Sequence, residues 1–167
     1  MKFKTYTEND ESLMSQDEKD LLVRIRGLMD HFPEGLGYDM GDKGRFVSLS
    51  CHMVVRAMAR VIGREVKVID GYFFPVYQHS WLRTKQGNVI DVFPVGIVGG
   101  PIFVSKIVAD RKCKIVFKDL FTEREKRQDV GLYLRKRLPK DTRASFKDKR
   151  FVRTVELIVR SMRSAFV

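Results

Sequence analysis

Three side chains in this sequence have the types and the order that acyl transfer needs: Cys51, His79 and Asp91. A thiolate attacks a carbonyl carbon, an imidazole carries the proton from thiol to leaving group, and a carboxylate fixes the tautomer and orientation of the imidazole. Each residue alone has an ordinary structural reading. Cys51 could be a small buried apolar side chain, His79 a hydrogen-bonded core residue, and Asp91 a turn former ahead of Pro94. Only the constellation points to chemistry, so the elements that position it decide the matter.

Ser48-Leu49-Ser50 leads into a run in which Val54, Met58 and Val61 recur at helical spacing, with Val55 and Ile62 widening the face and Gly63 as a stop. Ser48 and Ser50 are candidate N-caps, which puts Cys51 in the first turn. Unpaired backbone N–H groups and the positive end of the helix dipole favour an anion there, whether a thiolate or an oxyanion. Pro75 to Arg83 reads as a strand, Thr84 to Asn88 as a turn, and Val89 to Phe93 as a second strand. A three-residue loop of Lys85, Gln86 and Gly87, with Gly87 left-handed, sets Thr84 opposite Asn88 and Trp81 opposite Asp91. His79 and Asp91 then share a face as diagonal neighbours, roughly 7 Å apart at the backbone. A loop longer or shorter by one residue would put them on opposite faces.

At these residues the sequence resembles the transglutaminase-like branch of the papain-like cysteine enzymes. That group has a cysteine at a helix start, a His-x-Trp pattern on a strand, and an apolar-Asp followed closely by Pro on the next strand. Here the matching residues are Cys51, His79-Ser80-Trp81 and Val89-Ile90-Asp91-Val92-Phe93-Pro94, within residues 45–96. The short gap between histidine and aspartate is most similar to small bacterial members such as the leader peptidases of lasso-peptide biosynthesis. The resemblance implies an α+β fold with a papain-like core, in which the cysteine helix packs on a small antiparallel sheet. It also implies peptidase, amidase, deamidase or transamidating chemistry on a peptide or protein amide, with no cofactor and no metal. The sequence supports that last point on its own, having neither C-x-x-C nor H-x-x-x-H and no Walker lysine near Gly96 to Gly100.

The bulk of the chain agrees with a globular enzyme. Its 167 residues suit a single domain with a sizeable core, and no apolar run is long enough for a membrane span. The polar N-terminus has no signal-peptide pattern, and two cysteines make no disulfide framework; the cytoplasm fits, as does secretion without a cleaved signal. Charge is uneven. Residues 105–167 hold 19 Lys and Arg against 8 Asp and Glu, which accounts for the whole net charge of +11. The alternative function is therefore a non-catalytic binding protein whose basic C-terminal surface, around Arg135, Lys136 and Arg137, takes nucleic acid or an acidic partner.

The remaining segments frame the pocket. Residues 1–16 read as a loose lead-in, and Gln16 to His31 as a helix buried through Leu21, Leu22, Ile25, Leu28 and Met29. The glycine-rich loop before Cys51 offers Tyr38 or its own amides as a second oxyanion donor, and Pro94 to Pro101 offers another cleft wall. Trp81 packs behind the imidazole and shields its bond to Asp91. Gln78 neighbours His79 on a strand and points away, so it is rejected as an oxyanion donor. His52 falls about 100° round the helix from Cys51 and reads as a rim or core residue. Glu65 to Ile69 reads as a strand, Asp70-Gly71 as a turn, and Ile102 to Val104 and Cys113 to Phe117 as short strands with Cys113 buried. Asp119 to Leu134 reads as a helix, Lys140 to Lys147 as a connector, and Asp148 to Phe166 as an amphipathic helix, which together make the basic part 119–167 helical.

Overall fold

Helical periodicity and β-branched alternation resolve into helices packed on an antiparallel sheet. The computed structural model of the chain describes residues 13–31, 50–73, 77–93, 101–106, 115–118, 128–131 and 133–164. In chain order the elements are α1 (Gln16–Met29), α2 (Cys51–Ile62), β1 (Val66–Phe73), β2 (Tyr77–Thr84), β3 (Val89–Asp91) and β4 (Ile102–Val104). They continue with β5 (Ile115–Lys118), β6 (Gln128–Gly131), β7 (Tyr133–Leu134), α3 (Lys140–Ser145) and α4 (Lys149–Ser164). Five strands pair in the order β4-β3-β2-β1-β7, and β5 and β6 form a separate pair. The class is α+β.

The apolar stripes explain the layering. Val54, Val55 and Met58 of α2 meet Leu22 and Ile25 of α1, Val155, Ile158 and Met162 of α4, and Leu82, Ile90 and Phe103 of the sheet in one core. Burying each such side chain contributes about 1.5–3 kcal/mol, so these stripes, rather than surface charge, fix how the helices dock. Gly63 closes α2 at φ 81°, a positive-φ conformation that glycine reaches without the clash of a Cβ. No helix among the described residues is long and apolar enough to cross a membrane.

The hairpin register follows the loop chemistry. Leu82 pairs with Ile90 and Arg83 with Val89, which places Trp81 level with Asp91. Gly87 takes φ 92°, its N–H donates to the Thr84 carbonyl at 3.0 Å, and the Thr84 N–H donates to Asn88 at 2.9 Å. A buried carboxylate locks this turn to α1. Glu18 Oε1 accepts from Thr84 Oγ1 at 2.6 Å and from Asn88 Nδ2 at 2.8 Å, while its Oε2 accepts the Ser15 N–H at 3.2 Å in a capping box.

Three expectations need correction. Asp70-Gly71 is not a turn: β1 runs on to Phe73, because Asp70 is bound from α2 and Gly71 lets β7 approach. Residues 128–134 are strand, not helix, since β7 completes the sheet edge beside β1. Lys140 to Ser145 is a short helix rather than a connector, tied to β2 by Thr142 Oγ1 donating to Gln78 Oε1 at 2.6 Å. Ser50 is the N-cap of α2, yet its hydroxyl makes no capping hydrogen bond. Ser48, Tyr38, Pro94 and Cys113 lie outside the described residues.

Gly71 leaves no room for a side chain. A Cβ there would stand 2.2 Å from the Leu134 carbonyl oxygen and 2.7 Å from the Trp81 ring. Gly71→Ala is expected to cost about 1–3 kcal/mol by forcing β7 or Trp81 outward. Urea unfolding measures this, and an unchanged midpoint would contradict the close approach.

Candidate active site

The site assembles from two sequence neighbours on α2 and two on β2. Cys51 opens α2, half-buried, with its Sγ 4.0 Å from the Gln78 carbonyl oxygen. His79 on β2 is fully buried, and so is Asp91 at the end of β3. Their side chains meet at 2.6 Å, Nε2 to Oδ2. Asp91 is held by two further donors: Tyr133 Oη at 2.7 Å on Oδ2 and the Phe93 N–H at 3.1 Å on Oδ1. A carboxylate ringed by donors accepts only, so the proton on this face of the ring belongs to Nε2. Nδ1 is buried and has no hydrogen-bond partner among the described residues.

Electrostatics follow from this placement. Burial pushes His79 down most strongly, but the charge and hydrogen bond of Asp91, then the nearby Cys51, outweigh it and raise its pKa to about 10. Burial and the Asp91 charge push the Tyr133 phenol well above its usual value, keeping it a neutral donor. Trp81 stacks on the imidazole at 6.2 Å and 27°, while Phe73 meets it edge-on at 6.1 Å. Tyr133 packs against both Phe73 and Trp81 at 5.2 Å, so water is kept from the His79–Asp91 bond.

A second polar cluster joins the other neighbours. His52 Nδ1 lies 2.6 Å from Ser80 Oγ, and Ser80 donates to Asp70 Oδ1 at 2.5 Å. Ser80 has a single hydroxyl proton, so it accepts from His52, and the neutral ring carries its hydrogen on Nδ1. Arg56 grips both Asp70 oxygens, at 3.0 and 2.8 Å, and donates to the His52 carbonyl at 3.2 Å. Its guanidinium also sits 3.8 Å over the Phe146 ring. Burial, followed by the Arg56 charge, lowers His52 to about 4.

Five residues that support the site stand out only once the chain is folded. Tyr133 was hidden in a predicted helix, although its aromatic, β-prone surroundings were visible. Asp70 was taken for a turn former, although it continues the alternation of Val66, Val68 and Asp70 on one strand face. Arg56, one helical turn after His52, carries a positional hint, and Glu18 completes the Ser-x-x-Glu capping pattern that begins at Ser15, whereas Ser80 carries none. Comparison with known protein families, curated proteins and solved structures finds no match for this chain.

Two shifts of opposite sign predict a pH profile for stability. Between 6.5 and about 4 the unfolded chain takes up a proton at His52 that the folded protein refuses, so stability falls as the pH drops. The His79 contribution is complete below 6.5 and is lost as the pH rises toward about 10. The melting temperature is expected to peak near pH 6.5 and to decline on both sides. A profile flat from 4 to 10 would contradict both assignments.

Proposed function

We propose that this protein is a thiol-dependent acyl-transfer enzyme acting on an amide bond, with the papain-like core that its transglutaminase-like pattern implies. The observation that carries the reading is the dry His79–Asp91 bond, with Nδ1 unclaimed by any other group beside a cysteine at a helix N-terminus. Cys51 Sγ, its proton already resting on His79 Nδ1, attacks the carbonyl carbon. Asp91, fixed by Tyr133 and the Phe93 amide, holds the resulting imidazolium. The first-turn N–H groups of α2, uncapped by the Ser50 hydroxyl, stabilise the oxyanion. His79 then protonates the departing amine, and water or another amine releases the thioester. Trp81 and Tyr133 are supporting residues that exclude water.

The test is labelling with a thiol-directed acyl electrophile across pH, followed by peptide mapping. Cys51 is expected to react far ahead of Cys113. Equal labelling of the two thiols would count heavily against an activated nucleophile.

A further inference from the structure

The sheet face that carries His79 and Trp81 continues, toward the β2–β3 turn, into an open groove of about 790 Å³. Arg64, Lys67, Arg83, Lys85, Lys106 and Arg135 line it, with Ile69 as its apolar floor. Among the described residues Glu65 is the only carboxylate in the lining, and Arg24 already holds it at 2.7 Å from outside the groove. Among the described residues none of the six cations has a carboxylate partner within ion-pair distance. Lys67 and Arg83 stand directly opposite one another across β1 and β2. Like charges at such a position destabilise a sheet, so the fold carries a repulsion that a bound anion would relieve. Four of the six cations come from the part of the chain whose charges otherwise balance, so the groove is not a by-product of the basic C-terminal third.

We propose that this groove docks an extended, acidic segment of a polypeptide. The chemistry favours a peptide over nucleic acid. Among the described residues no aromatic side chain lines the groove to stack a base, the feature that single-strand binders rely on. The floor is formed by strand residues whose same-face repeat, about 6.6 Å, equals that of alternate side chains in an extended peptide. Lys67 and Arg83, level with one another across β1 and β2, converge on one carboxylate of such a segment, with Lys106 and Arg135 at the sides for the carboxylates flanking it. The inference stands apart from the thiol chemistry, because docking needs none of the residues of the candidate active site.

Fluorescence anisotropy with a labelled peptide of alternating glutamate and serine tests it on the whole protein, with a single-stranded oligothymidylate as competitor probe. The peptide is expected to bind, with affinity that falls steeply as salt is added. Lys67→Glu is expected to weaken binding about tenfold or more. The same change creates an opposite-charge pair across the strands with Arg83, so the melting temperature should hold or rise. Arg153→Ala with Arg160→Ala removes the same amount of charge from the exposed side of α4 and should leave binding intact. If Lys67→Glu unfolds the protein, Lys106→Ala with Arg135→Ala takes its place. Absence of peptide binding, equal loss in the α4 control, binding that survives the groove variants, or tighter binding of the oligonucleotide would each overturn the proposal.

Discussion

His79→Ala is expected to slow alkylation of Cys51 by a neutral reagent such as iodoacetamide about 10²-fold near neutral pH, and amide turnover by about 10²–10⁴-fold. The sulfur stands close enough to the ring to raise its pKa, and the ring's far nitrogen is anchored at 2.6 Å to a carboxylate, so the imidazole is held in place to carry the thiol proton. Without the ring, the Gln78 carbonyl at 4.0 Å can accept a hydrogen bond from the thiol but cannot take up its proton. Asp91→Asn should do similar damage by a different route. The amide would turn its NH2 toward Nε2, which must then accept, and the proton would move to Nδ1, where it blocks the sulfur. A melting curve separates this effect from unfolding. If the folded His79→Ala protein alkylates as fast as the parent, the ring is not the base, and the acyl-transfer reading fails.

Glu18→Ala is expected to be the most destabilising of the substitutions considered, at about 3–5 kcal/mol, read as a lower urea midpoint. The carboxylate is buried and accepts from Thr84, Asn88 and Ser15 together, so its loss strands three donors at once. Glu18→Gln keeps an acceptor for Thr84 and Asn88 but turns its NH2 toward the Ser15 N–H, and should cost about 1–2 kcal/mol. Because the turn it clamps sets the register that brings His79 and Asp91 to one face, Glu18→Ala should also depress Cys51 labelling in whatever fraction remains folded. Full labelling with a loosened turn would separate the clamp from the site.

How legible the site was depended on how local each constraint is. Cys51 at a helix start, and the hairpin register through Gly87, could be read because capping and turn chemistry act over a few residues. The bond from His79 to Asp91 followed from that register. Tyr133 could not be found this way: it reaches Asp91 only because β7 pairs with β1, and nothing within either segment announces a partner so far along the chain. Asp70 failed for a related reason. Asp-Gly is a turn signal by itself, but here Arg56 and Ser80 hold the aspartate in an extended strand, and Leu134 crowds the glycine. The basic character was visible as a total, yet its useful concentration arises from strand pairing that brings Lys67 level with Arg83.

The paired clusters have a mechanical consequence. Cys51 and His52 are adjacent on one element and His79 and Ser80 on the other, so the His52–Ser80 bond works as a rivet beside the reactive pair. Sulfur and imidazole cannot drift apart unless Ser80 lets go of His52 and Asp70 lets go of Arg56. Cys51 and His79 therefore move together, and any rearrangement at this site falls to the elements around them.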